Sequence, residues 1–258
     1  MVATDTTKFS GELYEAIDLL SKANFGRDNR IINDFCWELG KCVGTSVQPA
    51  VNKEYARILT LKEDNCTPAQ AIKRIFENPG DWSFDCAEFV QLTILYATLK
   101  TYGDQKFNDY VWGLLNKTSS ICYERYFTLL PHGSTGIKRV QKYSRYTSPQ
   151  EEFMDDDGNV IEMSDEVLLK NAPVGTRIAV KNLEAPEGSA FRYENAVKLD
   201  EDLYGAHGFS ESKLTLSMVK QRLAKITFSS YQGELSLTEY IDRYVFVSEI
   251  EIFDTKIK

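Results

Sequence analysis

The chain has 258 residues, 43% hydrophobic and 12% aromatic, so it has the means to bury a full core, and its formal net charge is −8. Lysines and arginines are scattered without a basic block, which argues against a nucleic-acid partner. No apolar run reaches the ~18 residues of a membrane span, and the opening MVATDTTKFSGELYEA has neither a basic nor an apolar signal region, so the expectation is cytoplasmic synthesis and no membrane partner. Five cysteines (36, 42, 66, 86 and 122) are an odd number, which argues against a disulfide framework and leaves at least one thiol. Cys36 and Cys42 make a metal pair only with two further ligands, and with His132 and His207 the only histidines no metal site is expected.

Taken in order, Leu13, Ala16, Ile17 and Leu20 predict a first helix over Gly11 to Ala23, and Ile31, Ile32, Phe35, Leu39 and Cys42 a second over Asn29 to Val43. Val51 to Leu61 reads as irregular or partly helical. Thr67 followed by Pro68 starts a helix that ends at Asn78-Pro79-Gly80. A polar turn, Gly80-Asp81-Trp82-Ser83, then feeds a long apolar helix running to Gly103 with Cys86 in its first turn. The unpaired N–H groups and the positive end of the helix dipole favour a thiolate there, although a small buried cysteine is the bland alternative. A short helix is expected over Gln105 to Leu115.

Beyond it the character changes from helix to strand. Ile121 to Leu130 and Ile137 to Tyr146 alternate as strands, with His132 in a Pro-His-Gly turn between them. The acidic stretch from Thr147 to Gly158 reads as a solvated loop, because Gly158 is misplaced for a calcium loop. A short helix over Ser164 to Lys170 precedes strands at Arg177–Val180, Ala190–Leu199 and Leu203–Phe209, the last two joined by an Asp200-Glu201-Asp202 turn. Ser210 is expected to cap a helix through Leu216, Val219 and Leu223, and a final strand covers Tyr244 to Phe253. The fold class is α+β: helices carrying the cysteine, then an antiparallel sheet carrying a histidine.

A thiol nucleophile needs an imidazole to take and return its proton and a third group to orient that imidazole. His207, between Ala206 and Gly208 at a strand end, suits the second role better than His132 in its turn. Across a hairpin centred on Asp200 to Asp202, Glu194 comes opposite or diagonal to His207, although Asn195 and Asp202 are open alternatives for the third group.

Three stretches now carry a resemblance: Thr67 to Asn78, then Ser83-Phe84-Asp85-Cys86-Ala87 with its helix to Asn108, then Tyr193-Glu194-Asn195-Ala196-Val197 followed by Tyr204-Gly205-Ala206-His207-Gly208. In this order they resemble the small bacillar spore-coat transglutaminases. The resemblance implies a papain-like (NlpC/P60-type) fold, with the cysteine at the N-terminus of a central helix packed on an antiparallel sheet, N-terminal helices beside it, and no metal or organic cofactor. It implies one catalytic domain over residues 1–258, with a helical annex over 1–60, a core over 61–258 and an insertion at about 110–171. The activity it implies is protein-glutamine γ-glutamyl transfer: Cys86 as nucleophile, His207 relaying the proton, Glu194 fixing His207, and Asp85, Trp82 and Asn195 contacting substrate.

The partner is then a protein, glutamine donor with lysine or water as acceptor, and the setting a spore coat or signal-independent export. The chain has Asp85 where the family has Glu, one methylene shorter, which bears on capture of the amine. If water resolves the thioester, the enzyme is a glutamine deamidase. An NlpC/P60-like amidase and a silent interaction module are the competing classes.

Overall fold

The computed structural model describes residues 2–25, 34–41, 57–61, 66–117, 139–186, 189, 191–209 and 211–254. They fall into two compact units, Met1–Lys138 with Asp254–Lys258, and Arg139–Phe253. In the first, α1 (Val2–Leu20) turns Phe9, Leu13, Ala16, Ile17 and Leu20 inward at helical spacing and packs against the later cysteine helix. Strand β1 (Asn24–Phe25) follows. Next come β2 (Trp37–Lys41) and β3 (Arg57–Leu61), an antiparallel pair with Trp37 opposite Leu61.

That pair overturns two expectations. The helical spacing over Asn29 to Val43 loses to tertiary pairing: residues 37–41 are strand, laddered to the Ile- and Leu-rich 57–61, where irregular or helical chain was expected. Just ahead of β2, Asp34 accepts the Cys36 amide at 2.8 Å and the Arg74 Nε–H at 2.6 Å, and Cys36 is disulfide-bonded to Cys66. Residues 29–33, 42–43 and 51–56 lie outside the described residues. The bond also corrects the argument from an odd cysteine count. Parity says only that not all can pair, whereas Cys36 and Cys66 have Cα atoms 5.3 Å apart.

Helix α2 (Pro68–Glu77) begins as expected, with Thr67 as N-cap and Gln70 completing a capping box. A 3₁₀ turn over Pro79–Asp81 leads into β4 (Ser83–Phe84), parallel to β1, and then into α3 (Cys86–Tyr102), buried without a break from Glu88 to Leu99. Gly103, with φ +83°, closes it. Helix α4 (Asp104–Lys117) anchors through Phe107 and a Lys73–Asp104 ion pair.

The second unit holds β5 (Arg139–Ser144), β6 (Phe153–Met154), β7 (Val160–Ile161), α5 (Asp165–Asn171), β8 (Arg177–Asn182), β9 (Tyr193–Asp200), β10 (Leu203–Ala206), β11 (Lys213–Leu214), α6 (Leu216–Phe228), α7 (Leu237–Tyr244) and β12 (Val245–Phe253). Its antiparallel sheet runs β11-β10-β9-β8-β12-β5-β6-β7, so the last strand sits near the middle, between β8 and β5. One face presents Ile178, Val180, Ala196, Tyr204, Ala206, Val247 and Ile250 to Val219 and Leu223 of α6 and Tyr240 of α7.

Several expectations hold here: the short helix α5, which has Ser164 as its cap and not as its first residue, the strands at 177, 193 and 203, and the final strand. The helix expected from Ser210 starts instead at Leu216, because Thr215 accepts the Met218 amide and residues 213–214 pair with β10. Ser210 itself, the strand over 121–130 and His132 lie outside the described residues, and β5 pairs with β12 and β6. The acidic stretch contains β6 and a turn in which the Asp155 carboxylate accepts the amides of Asp157 and Asn159 at 3.0 and 2.8 Å. Among the described residues no helix is long and apolar enough to cross a membrane.

Candidate active site

Cys86 is the first residue of α3, half-buried and outside any disulfide. Asp85, just before it, is the N-cap: its Oδ1 accepts the amides of Ala87 and Glu88, both at 2.9 Å. Glu88 reaches back, its Oε2 accepting the Asp85 amide at 2.9 Å. Two amides that a bare helix end would offer to the sulfur are therefore taken by a carboxylate, and two carboxylates flank the thiol. Their charge offsets the helix dipole, so the helix end alone gives Cys86 a smaller electrostatic gain than its position suggests. The Asp-x-x-Glu signature was readable in the sequence.

Trp82, expected to contact substrate, is 2% exposed and stacks on Phe84 with ring centroids 6.2 Å apart. Its carbonyl accepts the Asn24 amide at 2.9 Å. The ring is thus part of the buried packing of the first unit.

His207, Glu194 and Asn195 gather at one end of the β9–β10 pair. Register fixes Gly205 opposite Val197 and Ala206 opposite Ala196, so His207, directly after β10, and Glu194 and Asn195, directly before Ala196 on β9, lie at the same end of the pair. A bulge between Leu203 and Tyr204 sets this register. Alternation puts Glu194 on the sheet face of Ala196 and Asn195 on the other. His207 and Glu194 are both 5% exposed. Gly208, at φ +83°, turns the chain away just after the imidazole.

Sequence reasoning missed Arg177. Its guanidinium donates to Asn195 Oδ1 from Nε at 2.8 Å and Nη2 at 2.5 Å, and its Nη1 pairs with Glu251. Asn195, expected to contact substrate, is thus held in a side-chain network on β8, β9 and β12, for which the sequence offers no local signal. Cys86, Asp85 and Trp82 belong to the first unit, and Glu194, Asn195 and His207 to the second.

The fold and the sequence each have relatives. The solved structure of a transglutaminase from Geobacillus stearothermophilus, without its C-terminal extension, matches with a TM-score of 0.56 over 98% of this chain and 93% of that one, at 17% identity. At that identity the likeness speaks for the α+β fold alone. A family profile described as protein-glutamine gamma-glutamyltransferase matches residues 49–240, a range that contains Cys86, Glu194 and His207. The chain belongs to the protein-glutamine gamma-glutamyltransferase family, a family of enzymes. A protein-glutamine gamma-glutamyltransferase of Bacillus licheniformis is 29% identical over 140 residues, 54% of this chain and 42% of that protein, so the match spans less than half of the relative.

Proposed function

We propose that the chain catalyses acyl transfer from protein glutamine, with Cys86 as nucleophile, His207 as proton relay and Glu194 as the group that orients the imidazole. The observation that carries this reading is Cys86 at the first position of α3 in a chain of this enzyme family. The Cys86 sulfur attacks the carboxamide carbon of a glutamine side chain, the C–N bond breaks, and His207 delivers its proton to the departing ammonia, leaving a thioester. A lysine ε-amine then attacks that carbonyl, returns its proton to the imidazole and expels the thiolate, forming an isopeptide bond. Because two carboxylates flank the sulfur, an imidazolium at His207 supplies the charge that keeps the thiolate ready.

A second reading, with water as acceptor and deamidation as outcome, draws on Asp85. The carboxylate that the family resemblance assigns to amine capture is one methylene shorter and already accepts two backbone amides. One assay separates the two: labelled primary amine incorporated into a glutamine-bearing protein, measured beside ammonia release. Matched incorporation and release support transamidation, and ammonia without incorporation overturns it in favour of deamidation. Loss of neither product in Cys86→Ala would overturn both.

A further inference from the structure

Arg177 ties three strands of the second unit together on the sheet face turned away from α6 and α7. Its neighbour Ile178 belongs to the core beneath those helices, so alternation sends Arg177 the other way. Register sets it opposite Glu251 on β12 and Val197 on β9, one diagonal from Asn195. From there Nε and Nη2 donate to Asn195 Oδ1 at 2.8 and 2.5 Å, while Nη1 pairs with Glu251 and lies 3.6 Å from a Glu249 carboxylate oxygen. Asn195 is 7% and Glu251 4% exposed.

A buried ion pair of this kind adds little net stability, because desolvation of the two charges offsets their attraction, and apolar residues of similar size serve a fold about as well. What a guanidinium supplies beyond them is orientation. The two ends of an asparagine amide have nearly the same shape, but a guanidinium carries donors only, so the end that faces Arg177 is the oxygen. Its two lone pairs are taken by Nε–H and Nη2–H. The Asn195 side chain therefore has no acceptor for an imidazolium, which is itself a donor at both nitrogens. The other end of the amide is Nδ2, a group with two N–H bonds to donate.

We infer that Arg177 is a positioning residue for acyl transfer: it holds the Asn195 amide oxygen toward β8, so that Asn195 serves as a hydrogen-bond donor to the carbonyl oxygen of the substrate carboxamide and the orienting of His207 falls to Glu194. The inference rests on the acyl-transfer reading and adds to it a residue that acts only through Asn195.

The test is steady-state ammonia release from a glutamine-bearing peptide at saturating primary amine, measured on the full chain beside thermal unfolding. Arg177→Met/Glu251→Met removes both charges together, so it is expected to melt near the parent and to raise KM for the peptide about three- to tenfold, the worth of one misdirected hydrogen bond, with a smaller change in kcat. Asn195→Asp keeps an acceptor for Arg177, and so keeps the fold, yet has no N–H to give, and its KM rises as far. Arg177→Lys leaves a charge beside Glu251 without the fixed fork and raises KM by less. Adding Arg177→Met/Glu251→Met to Asn195→Ala raises KM no further than Asn195→Ala does, because the amide that the guanidinium holds is already gone. Parent-like KM in Asn195→Asp or in a folded Arg177 variant overturns the inference and leaves the acyl-transfer reading standing, as does a further rise in KM in the triple variant. A parent that releases no ammonia overturns the acyl-transfer reading and this inference with it.

Discussion

Asp85 and Glu88 close a reciprocal capping box around the first turn of α3, with the Cys86 thiol between the two carboxylates in sequence. One residue is thereby given two tasks of opposite sign. Asp85 fixes the helix end on which the thiol is mounted, and its charge disfavours the thiolate that the mount exists to present. Acyl transfer through Cys86 then depends on a cationic partner, the part we assign to His207.

Asp85 variants separate the two tasks. Asparagine caps a helix about as well as aspartate, so Asp85→Asn is expected to melt close to the parent, while Asp85→Ala loses about 0.5–2 kcal/mol. Removing the charge speeds alkylation of Cys86 by iodoacetamide at neutral pH severalfold in Asp85→Asn. An unchanged alkylation rate in that variant would show that the cap carboxylate does not govern the thiol. If Asp85 also receives the incoming amine, Asp85→Asn loses amine incorporation while ammonia release persists.

Local signals in the sequence were the reliable ones. Thr67 announced its helix, and the apolar run after Cys86 announced α3, because a cap and a periodic face depend on neighbours three or four residues away. Trp37 to Lys41 was misleading for the opposite reason: its spacing suits a helix, and only the distant partner Arg57–Leu61 makes it a strand. The pairs β1–β4 and β6–β7 have two residues per strand, too few for any period to appear. Ser236 and Glu239 box the start of α7 and were readable, although that helix was not expected. The residues proposed for catalysis were visible separately, Cys86 from its helix and His207 with Glu194 from their hairpin. The bulge at Leu203–Tyr204 was not, and it sets the register that brings Ala206 opposite Ala196, beside which Glu194 and Asn195 both stand as candidates for the orienting group.

That ambiguity has a kinetic answer. Cys86→Ala and His207→Ala are expected to abolish both ammonia release and amine incorporation. Glu194→Gln keeps the fold and lowers kcat by roughly 10²–10⁴ through misorientation of the imidazole. Asn195→Ala removes the acceptor shared by Nε and Nη2 of Arg177 and costs about 1–3 kcal/mol of stability, with a smaller effect on kcat. A larger kcat loss in Asn195→Ala than in Glu194→Gln would transfer the orienting role to Asn195.

The Cys36–Cys66 bond spans 30 residues and ties the start of β2 to the residue before the Thr67 cap. Loop-closure entropy for a ring of that size predicts that Cys36→Ser/Cys66→Ser loses roughly 2–4 kcal/mol, and that reductant destabilises the parent by a similar amount. Denaturant unfolding with and without reductant measures both. The double variant must then be insensitive to reductant, and a parent equally insensitive would mean that the bond does not form in solution.

Tyr204 links the hairpin that carries Glu194 and His207 to alkaline pH. Burial, with the charge of Asp202 adding to it, pushes its phenol up to about 12 from an ordinary 10. In the unfolded chain the phenol ionises near 10 and in the folded chain near 12, so its stabilising contribution is complete below pH 10 and disappears as pH rises through 12. Over that window the parent is expected to lose roughly 2–3 kcal/mol relative to Tyr204→Phe, which has no proton to lose there. Lys198, opposite Tyr204, works the other way: burial lowers its pKa, so its effect is a gain in stability as pH rises from its depressed value toward 10.5. Comparing parent with Tyr204→Phe cancels the lysine, which both share. Urea unfolding of the two proteins between pH 8 and 12 gives the difference curve, and a flat curve above pH 10 would show that the phenol at 204 is not buried in its neutral form.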